Sequence, residues 1–399
     1  MTYTKRLYSL PFPKGQSIIL LGPRKTGKTT FLKQKFKDSL YIDLLKSDLR
    51  RKYSLHPERL REELLLMENE KKAYPIIIDE IQLIPTLLNE IHWLIENTNL
   101  HFILCGSSAR KLRAAGVNLL GGRAWTYHFF PFTFSEMAPY ALDILLKRGT
   151  IPSHYQSPSY HQHLSAYVEN YLTLEIQQEG LVRNLPAFQN FLKIAAFSSG
   201  ELTSYANIAR EAGVNEKTVK SYFDILEDTL IGHRLAPFTK KNKRDLIFKR
   251  PKFYFFDVGL TAFLKQEWDE ESSTVNRGHL LETYIFQELN AYINLRAQKI
   301  PLRFWRTAQG LEVDFILGKY AAIEIKHTQN IHDSHLKALV AFGQEYTPQH
   351  LIMVCREPQP RLKHYKGFDI QILPIEDFLK RLWKNEFLGS LERKKPSKI

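Results

Sequence analysis

Cysteine is nearly absent from this 399-residue chain: only Cys105 and Cys355 occur, far apart in the sequence. Two isolated thiols exclude a disulfide framework and a thiolate metal site, so a reducing, cytoplasmic setting is expected. Long apolar runs are missing as well. No stretch reaches the ~18 apolar residues of a membrane span, and the opening MTYTKRLYSLPFPKGQ lacks the continuous apolar segment of a secretory leader. Neither membrane insertion nor secretion is expected. Acidic residues are in deficit, with 42 Asp and Glu against 56 Lys and Arg, a formal charge of +14. Such a balance points to an anionic partner, most often nucleic acid, against the plainer reading of a solubilising surface. Disorder is excluded by the 44% hydrophobic and 12% aromatic content. At ~100–200 residues per domain the length suggests two or three packed units.

What is present begins with a short apolar run, SIILL at 17–21, followed at once by GPRKTGKTT and the helical-looking FLKQKFK. Strand, loop and helix in that order match the phosphate-binding pattern G-x-x-x-x-G-K-[ST] through Gly22, Gly27, Lys28 and Thr29. Glycines let backbone N–H groups wrap phosphates, and a helix N-terminus adds a favourable dipole. The expected cofactor cradle is therefore Gly22, Pro23, Arg24, Lys25, Thr26, Gly27, Lys28, Thr29 and Thr30. Within it Lys28 reaches the β- and γ-phosphates of ATP, and Thr29 sets its hydroxyl on Mg2+. The second half of the site is YPIIIDEIQLI, an apolar strand ending in two carboxylates. Asp79 is the expected Mg2+ partner and Glu80 the base for the attacking water. HFILCGSS is a further strand that ends in Ser107 and Ser108, polar groups placed to touch the γ-phosphate or the water. Arg110 and Arg123 are candidates for an arginine finger acting on a neighbouring subunit, which would imply a homo-oligomer. With LYIDL and WTYHFFPF as additional strands, the order of elements predicts a parallel sheet with helices on both faces.

In these motifs the sequence resembles the AAA-type ATPases of bacteria and archaea. GPRKTGKTT, IIIDEIQ, CGSSARKL, GGRAWTYHFFPFTFSE, FYFFDVGL and EVDFIL resemble one prokaryotic family more closely. Its members join such an ATPase to a C-terminal region long known as a domain of unknown function. The resemblance covers nearly the whole chain and implies ATP binding with a nucleic-acid-linked or defence-like role.

The middle of the chain opens with the polar, proline- and serine-bearing GTIPSHYQSPSYHQHLSAY, which reads as a linker with His154, His161 and His163 solvated. Residues 165–185 look helical, with Glu175 facing solvent. ANIAREAGVNEKTVKSYFDIL has the rhythm of a helix-turn-helix, with its turn at Gly213. Its second helix would present Asn215, Lys217, Thr218, Lys220 and Ser221 to DNA. Beside it the basic loop 240–252, carrying Lys240, Lys241, Lys243, Arg244, Lys249, Arg250 and Lys252, would form a wing. The alternative is a module that binds protein, with the basic loop merely exposed.

In the C-terminal third, GHLLETYIFQELNAY reads as a helix with Leu281, Ile285 and Leu289 on one stripe and Glu282 beside it. LRFWRT, LEVDFIL and AAIEIKH then alternate as strands, with turns at AQG and GKY. Residues two apart share a face, so Glu312 pairs with Asp314 and Glu324 with Lys326, while Val313, Phe315, Ile323 and Ile325 line the other side. The pattern D-(x)n-(D/E)-x-K resembles the restriction-endonuclease superfamily, with Val313 where a proline is frequent. That resemblance implies Mg2+ held by Asp314, Glu324 and Glu282, with Lys326 activating water against a phosphodiester.

The expected fold is α/β: an AAA-type P-loop domain at 1–145, a helical and winged-helix module at 146–265, and a restriction-endonuclease-like domain at 266–399. The expected function is an ATPase acting on or regulated by DNA, with Mg2+-dependent nuclease activity in question. The alternative is a nucleotide-controlled switch or scaffold that binds a protein partner and keeps an inactive nuclease-like domain.

Overall fold

A computed structural model describes residues 4–10, 16–67, 75–108, 120–137, 140–173, 176, 182, 184–239, 250–266, 274–296 and 300–388. The chain forms two compact units: Met1–Phe132 with Thr150–Tyr160 and Phe223–Gly232, and Thr133–Gly149 with His161–Tyr222 and His233–Ile399. It is a mixed α/β protein with a parallel sheet in the first unit.

That sheet is built from β1 (Ser17–Leu21), β2 (Tyr41–Asp43), β3 (Ile76–Asp79), β4 (Phe102–Gly106) and β5 (Ala124–His128). The strands run parallel in the order β2-β3-β4-β1-β5. β1, β3 and β4 are buried along their whole length, as continuous apolar runs must be when helices cover both faces of a parallel sheet. The helices are α1 (Lys28–Lys35), α2 (Ser47–Leu55), α3 (Glu58–Met67) and α4 (Leu87–Asn97). On α4, Leu87, Leu88, Ile91 and Leu94 make the buried stripe of an amphipathic helix. Register aligns the strand ends that matter: Asp79 sits beside Cys105, and Leu21 beside Gly106. Because β4 lies between β1 and β3, its carboxyl end separates the phosphate loop from the Asp79–Glu80 pair.

The following helices are α5 (Leu185–Phe197), α6 (Tyr205–Ala212) and α7 (Glu216–Asp228), and β6 (Gly232–Leu235) pairs with β7 (Lys252–Phe255). After α8 (Val258–Leu264) and the long α9 (Thr274–Leu295) comes a six-stranded mixed sheet. It consists of β8 (Leu302–Arg306), β9 (Glu312–Leu317), β10 (Ala321–Ile325), β11 (His350–Cys355), β12 (Arg361–Tyr365) and β13 (Phe368–Pro374), in the order β12-β13-β11-β10-β9-β8. The β8-β9-β10 meander and its two turns fall where the alternation of LRFWRT, LEVDFIL and AAIEIKH placed them. α10 (Lys337–Tyr346) crosses to β11, which lies parallel to β10. α11 (Ile375–Trp383) buries Ile375, Phe378, Leu379, Leu382 and Trp383, the spacing of one helical face.

The expected linker is not open chain. Pro152–Tyr155 and Tyr160–Ala166 are helices, and His154 is 0% exposed rather than solvated. Pro152 at the first helical position favours that turn. The helix expected over 165–185 begins as a π-helix at Tyr167–Thr173, and Glu175 lies outside the described residues.

Candidate functional site

Two of the loop glycines are required by geometry. Gly27, at φ 95°, sits in the left-handed region just before α1, where only glycine is unstrained. At Gly22 a Cβ would lie 2.3 Å from the Phe129 carbonyl oxygen. Thr26 braces the loop by donating its hydroxyl to the Pro23 carbonyl at 2.8 Å. Lys28 is buried, and its ammonium donates to the carbonyls of Gly22 at 2.6 Å and Pro23 at 2.9 Å. Burial lowers its pKa, while Cys105, Glu80 and Asp79 oppose that shift. Arg24 is half-buried, and Lys25 and Thr30 are exposed on the rim.

The carboxylate pair is held by neutral donors. Asp79 Oδ2 accepts from the Thr29 hydroxyl at 2.7 Å and from the Tyr41 hydroxyl, and Oδ1 accepts the Glu80 N–H at 3.1 Å. Burial first, and then Asp79, pushes the Tyr41 hydroxyl and the Cys105 thiol up from their ordinary pKa values. Glu80 has φ 60°, a conformation uncommon outside glycine. Gln82, on the turn Ile81–Leu83, donates to the Glu80 carboxylate and to the Ser107 hydroxyl. Ser107 and Ser108 are both buried at the end of β4.

Sequence reasoning missed Arg6, Tyr41 and Gln82. Arg6 is buried and donates to the carbonyls of Thr26 (2.8 Å), Phe130 (2.7 Å) and Pro131 (3.0 Å), with its guanidinium 4.5 Å from the Phe129 ring centre. Nothing near it in the chain announces this role. Gln82 stood inside the strand motif, but only the turn after Glu80 brings it back onto the carboxylate. Arg123 forms an ion pair with Glu96, and Arg110 lies outside the described residues.

The second unit gathers the other predicted set, with an addition. Asp314 and Glu324 are buried on neighbouring strands, and Asp314 Oδ2 accepts the Ile325 N–H at 2.8 Å. Lys326 donates to Glu324 at 2.6 Å. Lys252 reaches into the same place. It is 1% exposed, bonds Glu282 at 3.0 Å and Glu312, and lies 3.8 Å from Asp314. Tyr254 also donates to Glu282, at 2.6 Å. Lys252 was expected on the exposed basic loop; β7 instead turns it inward, where the carboxyl groups of Glu282, Glu312 and Asp314 surround it.

Burial, then Glu324 and Glu282, holds Asp314 well above the carboxylate range, and burial raises Glu324 to about 7. Burial opposes the charge on Lys252, yet Glu282, Tyr254, Asp314 and Glu312 keep its pKa well above normal. Among the described residues no group of three or more His, Cys, Asp or Glu side chains is arranged to hold a metal ion. Of the expected set, Glu282 and Asp314 face Lys252, and Glu324 is paired with Lys326.

Strict alternation fails on β9. The register with β8 shifts between Arg303 and Trp305, so that Asp314 and Phe315 together face Phe304, a β-bulge. Val313 and Ile316 pack in one cluster with Trp305 and Leu339, whereas Phe315 sits 5.9 Å from Tyr254 and 6.2 Å from Phe286. Val313 and Phe315 therefore do not share a side.

α6 ends at Gly213 in the left-handed conformation, and α7 follows as expected. Asn215 is turned to its own helix: its Oδ1 accepts from the Thr218 N–H at 2.8 Å and hydroxyl at 3.0 Å, an N-terminal cap. Lys217, Lys220 and Ser221 are exposed. Residues 240–249 lie outside the described residues.

Residues 14–138 match the family described as AAA domain. They carry an AAA-type P-loop ATPase domain. Residues 141–306 match a domain of unknown function (DUF8612), and residues 277–378 match another (DUF4143). Uncharacterized proteins of Mycobacterium bovis and Mycobacterium tuberculosis are each 27% identical over 336 residues, 81% of this chain and 73% of theirs. Among solved structures, the Orc1 protein of Aeropyrum pernix, in complex with DNA, aligns at 12% identity over 63% of this chain and 87% of that one, with a TM-score of 0.25. A signal-transduction ATPase with a tetratricopeptide repeat sensor from Pyrococcus horikoshii aligns at 13% identity over 74% of this chain and 50% of that one, with a TM-score of 0.20. No helix among the described residues is long and apolar enough to cross a membrane.

Proposed function

We propose that the first unit hydrolyses ATP with Mg2+, and that turnover is coupled to DNA engaged by the second unit. The observation that carries the ATPase reading is the 2.7 Å hydrogen bond between the Thr29 hydroxyl and Asp79. A hydroxyl and a carboxylate brought together at the mouth of a phosphate loop are hard oxygen donors, and they fit Mg2+. When bound, the ion neutralises charge on the β- and γ-phosphate oxygens. The chain supplies the rest. Backbone N–H groups of the Gly22–Gly27 loop and the start of α1 hold the phosphates. Lys28 exchanges its two carbonyl partners for phosphate oxygens. Glu80 takes the proton of the attacking water, with the Ser107 hydroxyl beside it. Mg2+-dependent phosphate release tests this: Glu80→Gln lowers kcat about 100-fold while nucleotide binding persists. A wild type without turnover, or a Glu80→Gln variant as fast as wild type, sinks the reading.

The DNA part rests on the order α5, an isolated bridge at Leu202, α6, α7, β6 and β7, which supports a winged-helix module within 146–265. The β8-β9-β10-α10-β11 succession after α9, carrying Asp314, Glu324 and Lys326, supports a restriction-endonuclease-like domain within 266–399. Lysines 217 and 220 and the basic loop would meet phosphates.

A second reading is favoured by Lys252, whose ammonium occupies the space among Glu282, Glu312 and Asp314. On it the C-terminal domain binds but does not cut, and the chain is a nucleotide-controlled switch or scaffold. Incubating duplex and single-stranded DNA with Mg2+ separates the two. Cutting lost in Asp314→Ala supports the nuclease; no cutting, with an assembly state that changes with ATP, supports the switch.

A further inference from the structure

Gln82 is 3% exposed, and its Nε2 donates to the Glu80 carboxylate and to Ser107 Oγ at 3.1 Å. One amide thus joins the group that would take the proton to the hydroxyl that closes β4. Room for it depends on Gly106, where a Cβ would lie 2.5 Å from Gln82 Oε1. Among the described residues no donor meets Oε1, and a buried acceptor left unmatched costs about 1–3 kcal/mol. Glu80 itself sits at φ 60°, a backbone state that persists only where surrounding contacts enforce it. Both features are unfavourable for stability alone, and both lie on the one side chain pair at the head of the sheet.

We propose that Gln82 is a positioning residue for ATP hydrolysis: it holds the Glu80 carboxylate in the orientation from which it takes a proton, and ties that orientation to Ser107. The proposal rests on the ATPase reading. Gln82 touches neither phosphate nor water in this scheme; it acts through Glu80. A carboxylate free to rotate would spend most of its time off the water, so the loss should fall on kcat and spare ground-state binding.

The test uses the full chain, with ATP turnover for kcat and KM, mant-ADP fluorescence for nucleotide binding and thermal melts for folding. Gln82→Met, similar in size but unable to donate, should lower kcat about 10-fold or more with KM and mant-ADP affinity within about 2-fold, and Gln82→Asn should recover part of the loss. Combined with Ser107→Ala, Gln82→Met should cost less than the two losses multiplied, as expected of groups acting together. Unchanged kcat in Gln82→Met, or a loss confined to KM, overturns the proposal. A wild type that binds mant-ADP but never hydrolyses ATP overturns the ATPase reading and this proposal with it; a wild type with ordinary turnover and an indifferent Gln82→Met overturns the proposal alone.

Discussion

Two carboxylate sites in this chain are stabilised by opposite means. In the first unit Asp79 and Glu80 are met by hydroxyls, a backbone N–H and an amide, all neutral. In the second, Glu282, Glu312, Asp314 and Glu324 are met by the ammonium groups of Lys252 and Lys326. Neutral donors orient a carboxylate and leave its charge available to a cation. The ammonium groups orient Glu282 and Glu312 and offset their charge, while burial favours the protonated form of Asp314 and Glu324. The same residue type is thus prepared for a metal in one place and already compensated in the other.

The sharpest way to break this comparison is to remove the internal cation. Lys252→Met should destabilise the second unit by about 3–5 kcal/mol, because it strands buried carboxylates without a counter-charge; Glu282→Gln in the same background should return part of that. Urea midpoints decide it, and a Lys252→Met protein as stable as wild type would show that Lys252 is not the compensating charge. The next effect is on pH. Glu324 is raised from 4.5 to about 7, so the folded state keeps a proton that the unfolded chain has lost. Stability should therefore fall as pH rises from about 4.5 to about 7, and Glu324→Gln should flatten that slope; an equally steep slope in the variant argues against the assignment. The smallest effect sharpens the neutral side. Tyr41→Phe removes one of the donors to Asp79, and should cost about 1 kcal/mol of stability with only a few-fold change in ATP turnover. A loss as large as that in Glu80→Gln would mean that Tyr41 does more than orient Asp79.

Much of this was legible in the chain. The phosphate loop is local: its glycines, lysine and threonine are consecutive, and one strand and one helix suffice to shape it. The strands and turns of the meander at 302–325 were equally plain, because their signals are short-range, but the bulge within β9 was not. Lys252 was misread for a physical reason. In KRPK it looks like the last member of a basic loop, but the strand that begins with it is buried at every position, and the groups that make its burial tolerable come from α9 and β9. Arg6 was invisible on the same ground, since its partners are carbonyls far along the chain. His154 shows the converse: a polar, proline-bearing segment reads as open loop, yet Pro152 starts a helix there.

The bulge on β9 sets a limit on how this strand can change in length. A regular strand would offer one side chain between Val313 and Ile316; here two positions, Asp314 and Phe315, occupy that interval. One supplies a carboxyl group to the cluster and the other an aromatic wall beside Tyr254. Deleting a single residue would restore even pairing with β8, and it would force a choice between the carboxylate and the ring. Point substitutions at this place can be graded in severity, but a loss of length is all or nothing.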